Sequence, residues 1–491
     1  MRTLALVPLL LLAACEVGPN YVKPDLKAPP AYAEAASTNR TALTAQDADL
    51  SRWWTQFGDP ELDSLVERAL KDNPDLDAAS SRVRAARQQE KAAAAKLLPE
   101  VIANGAVVKY DSQRNAPDNP ASSASGAAAA GSQGLSFLPS HETLYSAGFD
   151  ALWEVDIFGG TRRGIEQAKA NREASEWQRR DGEVSLVAET ANAYLTLRAA
   201  QARIALGQAQ LKRQQDLYAL IGARRRTGFV TELDVNQQNV QVATVAAQIP
   251  QSQALAAAQI HALGVLIGQT PESLERELGA VPPPTENPTL PPPPPVLPTG
   301  LPSELLERRP DVRESERKLA AASAQIGVQT ANLYPKLNLI GLASFASPKI
   351  GELFDSQNFS TLGVGAVQAP LFEGGRLQAS VAQAREAYQQ DFQAYRTAVL
   401  GAFRDVEDAL ARFKAEDERR SRLADAVKAS EGNLTIAEAQ YKTGLVPFIN
   451  VLQAQTNLIN SRDQLVQTDS QALTDLVSLY KALGGGWLAE D

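Results

Sequence analysis

Cysteine is almost absent from this chain. Cys15 is the sole one in 491 residues, so no disulfide framework can hold the fold. Histidine is nearly as scarce: His141 and His261 lie far apart and suggest no local metal pair, and neither a metal nor any other cofactor is expected. No nucleophile elbow, zinc motif or phosphate loop occurs. The glycine pairs at Gly159-Gly160 and Gly374-Gly375 lack the spacing of a dinucleotide-binding loop. The expectation is a protein that is not an enzyme. Basic residues are outnumbered, 48 Lys and Arg against 57 Asp and Glu, and a net charge of −9 argues against a nucleic-acid partner. No segment reaches the roughly 20 consecutive apolar residues that a membrane-crossing helix needs.

The N-terminus reads as a processing signal. Arg2 precedes an apolar run from Leu4 to Ala14, too short to span a bilayer but suited to a signal-peptide core over residues 1–14. Leu12-Ala13-Ala14-Cys15 resembles a bacterial lipobox, which implies cleavage before Cys15 and lipid attachment to it. Glu16 is not the aspartate that commonly retains lipoproteins at the inner membrane, so a palmitate-bearing outer-membrane anchor is expected. Each buried acyl methylene contributes about 0.8 kcal/mol to such an anchor.

What the chain does contain is a duplication. Pro74-Asp75-Leu76 returns as Pro310-Asp311-Val312, and Pro99 as Pro335. Phe158-Gly159-Gly160-Thr161-Arg162 answers Phe372-Glu373-Gly374-Gly375-Arg376, and Arg226-Thr227-Gly228-Phe229-Val230 answers Lys442-Thr443-Gly444-Leu445-Val446. Blocks repeated in the same order argue for two similar units packed as neighbours. The expected plan is a lipidated leader (15–60), a first repeat (61–281), a Pro-rich linker (282–302), a second repeat (303–483) and a tail (484–491).

Each repeat holds a long stretch without proline, from Gly160 to Arg226 and from Gly374 to Gly444. A helix of that size measures about 100 Å at 1.5 Å per residue. In the second, Leu377, Val381, Ala384, Tyr388, Phe392, Tyr395, Val399, Phe403, Val406, Leu410 and Phe413 fall at steps of three and four, one face of a helix. Rods of this length need partners along their whole length, as in coiled coils. Each ends at a Thr-Gly turn and is followed by a returning helix, giving hairpins over 160–268 and 374–483. Pro250 is expected to interrupt and kink the first returning helix.

Four strands are expected, at 101–110, 145–157, 336–347 and 361–372. The clearest alternates Tyr145, Ala147, Phe149, Ala151, Trp153, Val155 and Ile157 against Ser146, Gly148, Asp150, Glu154 and Asp156. That is the pattern of a barrel strand between lipid and a wet lumen; a small soluble sandwich is the alternative. The first strand pair is joined by a longer loop, Ser/Ala/Gly-rich around Ala121 to Gly134. Four strands cannot close a membrane barrel and lipid does not tolerate open sheet edges. If the strands lie in lipid, several chains share one barrel, and three would supply twelve strands.

Cys15 with Gly18-Pro19-Asn20-Tyr21, the Trp53-Trp54 to Leu62 segment, Asn73-Pro74-Asp75-Leu76 and the duplicated plan resemble the TolC/OprM/NodT outer-membrane factor family. The resemblance implies a homotrimeric duct that joins a β-barrel in outer-membrane lipid to an α-helical barrel in the periplasm of a Gram-negative bacterium. It implies a multidrug-type efflux exit working with a periplasmic adaptor and an inner-membrane pump of the resistance-nodulation-division type. Type I protein secretion, or a periplasmic coiled-coil spacer or adaptor without a pore, are the competing readings. The family's adaptor-contacting tips map to Arg226, Thr227, Gly228 and Phe229, and to Lys442, Thr443, Gly444 and Leu445. Its periplasmic gate maps to Ile449, Asn450 and Gln453, with Asp234 contributing charge from the first hairpin. Well-known members carry aspartates at the Asn450 or Gln453 positions, so a carboxylate ring is not expected here; Ile449 packing and amide hydrogen bonds would close the gate.

Overall fold

The computed structural model describes residues 16–34, 50–110, 142–291 and 302–487. Cys15, His141 and the Ala121–Gly134 stretch lie outside them. In chain order the elements are α1 (Pro60–Asp72), α2 (Pro74–Ala95), β1 (Glu100–Tyr110), β2 (Glu142–Val155), α3 (Gly160–Arg226), α4 (Glu232–Leu266), α5 (Glu275–Leu278), α6 (Pro302–Arg308), α7 (Pro310–Ala331), β3 (Lys336–Ser347), β4 (Phe359–Gln368), α8 (Arg376–Lys442) and α9 (Phe448–Ala482). A 3₁₀ segment, Leu50–Phe57, precedes α1. The duplication is visible in the lengths. α2 and α7 are 22 residues each, α3 and α8 are 67 each, and α4 and α9 are 35 each.

Two compact units are formed, and each draws on both repeats. One comprises Met1–Val22, Ala86–Arg172 and Leu319–Asp391. Its centre is an antiparallel sheet in the order β1-β2-β3-β4. Directly opposed residues share a face, so the register fixes the two surfaces. One presents Val101, Val107, Tyr145, Phe149, Trp153, Leu339, Phe345, Phe359 and Val367. The other holds Glu100, Asp150, Glu154 and Lys336, with Lys336 paired to Glu154 at 3.2 Å.

Both limits of β2 and of β4 differ from the sequence expectation, and β1 begins one residue earlier, at Glu100. β2 starts at Glu142 and stops at Val155, short of Ile157. The chain turns there: the Ile157 amide bonds back to Val155 O at 2.9 Å, and the Asp156 carboxylate accepts from the Thr161 and Arg162 amides that open α3. β4 runs Phe359–Gln368 rather than 361–372. It ends opposite Lys336, the first residue of β3. Pro370, with no N–H to donate, follows. Leu371 and Phe372 are left 95% and 89% exposed.

In the same unit the leader is fastened to the start of α3. The Val17 amide bonds Phe158 O at 3.1 Å. The buried Arg163 guanidinium donates to Val17 O at 3.2 Å and Asn20 Oδ1 at 2.7 Å, and pairs with Glu166 at 2.7 Å. Gly18 has φ +94°, and a Cβ there would lie 2.5 Å from Gly327 Cα, so only glycine permits this approach.

The other unit comprises Lys23–Ala85, Glu173–Lys318 and Phe392–Asp491. Along α3, Val184, Val187, Ala191, Leu195, Ala199, Ala202 and Leu206 are buried; along α8, Tyr395, Val399, Val406, Leu410 and Phe413. These are the stripes that three-and-four spacing demands. Ion pairs tie neighbouring rods, Arg203–Asp463 at 2.9 Å and Arg420–Asp469 at 2.6 Å. Trp53 stacks on Tyr480 at 4.8 Å, and burial pushes the Tyr480 phenol up to about 12. α4 continues unbroken through Pro250, which lies on its exposed side; the expected interruption does not occur, because water there can satisfy the carbonyl that loses its partner. The linker is seated, not free, where it is described. Thr285 bonds Ala205 O at 3.2 Å, and Glu286 is held by Arg213 at 2.7 Å and Arg462 at 2.8 Å. No described helix is long and apolar enough to cross a membrane.

Candidate functional site: the paired hairpin tips

Both tips use one backbone solution. After α3 the Gly228 amide bonds Arg225 O at 3.0 Å and the Phe229 amide bonds Arg224 O at 3.1 Å. After α8 the Gly444 amide bonds Tyr441 O at 3.1 Å and the Leu445 amide bonds Gln440 O at 2.9 Å. These are Schellman ends, whose left-handed residue is glycine, φ 81° at Gly228 and 77° at Gly444. The Thr227 and Thr443 hydroxyls each donate to a last-turn carbonyl, Arg224 O and Gln440 O, at 2.9 Å. At each apex an apolar side chain stands in the open: Phe229 is 83% exposed and Leu445 is 76% exposed. Arg224, Arg225 and Arg226 crowd the last turn of α3, where the helix dipole favours cations. Lys442 does the same for α8.

Behind the apices the two hairpins share a core of Ile221, Leu434, Phe448, Val451 and Leu458. The rings of Tyr441 and Phe448 lie 5.5 Å apart, and the Arg224 guanidinium sits over the Tyr441 ring at 5.5 Å. Deeper along the rods the Gln238 amide, fully buried, donates to the Gln214 side chain at 2.7 Å. Arg462 bridges Glu286 and Glu431, both at 2.8 Å. Sequence reasoning missed both of these polar ties. The heptad-like run Phe448, Val451, Gln455, Leu458 was the available signal for the shared core.

The residues expected at the gate are placed as follows. Ile449 is 44% exposed, and Asn450 and Gln453 are exposed on the first turns of α9. Gln453 Nε2 donates to Asn457 Oδ1 at 3.3 Å, along its own helix. Asp234 is occupied locally. The Thr231 amide and hydroxyl each donate to its carboxylate at 2.8 Å, and the Asp234 amide returns a bond to Thr231 Oγ1 at 3.3 Å. That is a capping box with aspartate in place of glutamate. Within one chain the structure gathers the tips around a core but leaves Ile449, Asn450 and Gln453 facing outward. Among the described residues no cluster of His, Cys, Asp or Glu has the makings of a metal site.

Comparison with known proteins identifies relatives over the whole chain and solved structures of the same fold. The family described as "Outer membrane efflux protein" matches residues 65–269 and 301–485. A pyoverdine export outer membrane protein of Pseudomonas aeruginosa is 32% identical across 100% of this chain and 98% of its own length. A probable efflux pump outer membrane protein of Pseudomonas putida is 32% identical across 97% of this chain and 94% of its own. The solved outer-membrane channel OprN superposes with a TM-score of 0.84 at 31% identity, covering 96% of this chain and 100% of that one.

Proposed function

The chain belongs to the outer membrane efflux protein family, and on that premise we propose that three copies close one duct whose sheets join in outer-membrane lipid and whose helices extend into the periplasm. The chain is an outer-membrane efflux channel component of a Gram-negative bacterium, and its family is one of transport channels rather than enzymes. The observation that carries the trimer is the open sheet. β1 and β4 each have one partner and one free edge, while the face bearing Phe149 and Trp153 remains 59% and 36% exposed at those residues. In hydrocarbon every unpaired backbone group costs several kcal/mol, so free edges must meet other edges. A soluble coiled-coil spacer would cover those aromatic rings with protein.

In this reading Cys15 carries the lipid. The apices at Arg226–Phe229 and Lys442–Leu445 meet a periplasmic adaptor, and Ile449, Asn450 and Gln453 line the entrance beside Asp234. The adaptor links the duct to an inner-membrane pump of the resistance-nodulation-division type. The cargo is a small organic molecule, by analogy with relatives named for pyoverdine export and toluene efflux. The neutral Asn450 and Gln453 predict little divalent-cation block at the entrance.

Native mass spectrometry of the mature protein, extracted from outer membranes in mild detergent, tests this. Three lipidated copies are expected; a folded lipidated monomer would overturn the duct.

A further inference from the structure

Glu100, Asp150, Glu154 and Lys336 lie on one face of the sheet, while Lys109, one residue from the end of β1, is on the other. A charge on the lipid side of a barrel costs about 2–4 kcal/mol at the midplane and about 0–1 near the interfaces, so Asp150, in mid-strand, decides the assignment. The face with Glu100, Asp150, Glu154 and Lys336 is therefore the lumen face. A wet lumen needs polar side chains, yet two adjacent rows on this face are mostly apolar. The register places Ile102, Asp150, Leu342 and Leu362 side by side across the four strands. The next row is Glu100, Leu152, Ile340 and Val364. Strands about 4.8 Å apart and rows about 6.7 Å apart make this one continuous patch. It is bounded by Asn104, Ser344 and Ser360 on one side and by Glu154 and Asn338 on the other.

The patch is open and carries net negative charge. Ile102 and Leu152 are each 46% exposed, Leu362 55% and Val364 40%. Its lower edge, at Glu100 and Leu152, borders a cavity of about 970 Å³ that Glu154, Lys336 and Asn338 also line. Lys336 offsets Glu154. Asp150 accepts a hydrogen bond from Asn104 and, like Glu100, meets no cationic side chain among the described residues. Apolar surface set with unneutralised carboxylates suits one kind of occupant: a solute with an apolar ring and a positive charge.

We propose that this lumen patch is a docking site for amphipathic organic cations, with Asp150 and Glu100 holding the charge and the apolar rows holding the ring. The proposal rests on the duct reading above and adds a specificity determinant to it. It places selection for passing solutes in the sheet rather than in the residues of the hairpin tips.

Three water-soluble probes separate charge from apolar contact: benzyltrimethylammonium, tetramethylammonium and benzenesulfonate. Each is added on the sheet side of purified trimer in planar bilayers while single-channel current is recorded. Benzyltrimethylammonium is expected to block at concentrations about tenfold below either of the others. Asp150→Asn, which keeps the acceptor for Asn104, should raise its half-blocking concentration about threefold or more. Glu100→Gln should act the same way. Leu362→Ser should weaken block by benzyltrimethylammonium but not by tetramethylammonium. Equal block by all three probes, block by benzenesulfonate as strong as by benzyltrimethylammonium, or block unchanged in Asp150→Asn and Glu100→Gln would each overturn the proposal. A trimer that conducts without selective block sinks only this site. A monomeric mass, or no conductance at all, sinks the duct and the site together.

Discussion

At the first hairpin tip the returning helix begins with Glu232, 65% exposed at its side chain and paired to Arg225 at 3.3 Å. At the second it begins with Phe448, 3% exposed and buried against Ile221, Leu434 and Val451. The helices on either side have equal lengths, and both turns use glycine at the same left-handed position. The caps also differ. Thr231 closes α4 with side-chain hydrogen bonds, whereas Pro447 opens α9 with none. Duplication has thus kept what the backbone geometry requires and released what it does not. One tip supplies charge and a capped start; the other supplies the core that binds the two tips together.

That contrast gives a graded set of expected effects. Phe448→Ala should be the most damaging, at about 3–5 kcal/mol for emptying a buried aromatic site. Glu232→Ala, its counterpart, should stay within about 0.5 kcal/mol, as exposed positions do. Hydrogen exchange of amides around the tips measures both, and equal effects would erase the division of labour. Gly228→Val and Gly444→Val should come next, each costing about 1–2 kcal/mol for forcing a β-branched residue to positive φ. A Cβ at either glycine meets nothing within 4 Å, so the cost is backbone strain alone and should be similar at both tips. Unequal losses in denaturant unfolding would show that the turns are not equivalent. Thr231→Ala should cost less again, about 1 kcal/mol, read as faster exchange of the first amides of α4. Pro447→Ala should leave the start of α9 without comparable loss, since no side-chain cap is removed there.

Much of this was legible in the residues because periodicity survives without a structure. Along the stripe Val381, Ala384, Tyr395, Val399, Val406, Leu410 and Phe413 are buried and Tyr388, Phe392 and Phe403 are half-buried, as the three-and-four spacing requires. The Thr-Gly turns lie where glycine after a long helix places them. Strand ends were less legible, since they depend on where a partner strand stops: β4 ends with Lys336 of β3, which no local pattern announces. The polar ties were invisible for a related reason. Arg462, Glu286 and Arg213 come from three distant segments and meet only after the linker is seated. The Asp234 carboxylate also serves the helix start, accepting from the threonine three residues earlier, a role that the Thr-x-x-Asp spacing announces.

The matched rods, 67 with 67 residues and 35 with 35, act as gauges cut to a common length. Deleting one residue from a single rod would draw its tip back by about 1.5 Å and turn it by about 100°. Every later side chain on that rod would then face a different neighbour. Insertions and deletions in this chain should therefore gather in the connection between β1 and β2, where a change in length leaves the rods untouched. Along the rods, exchanging one side chain for another is the change that keeps the two repeats synchronised, like the legs of a trestle.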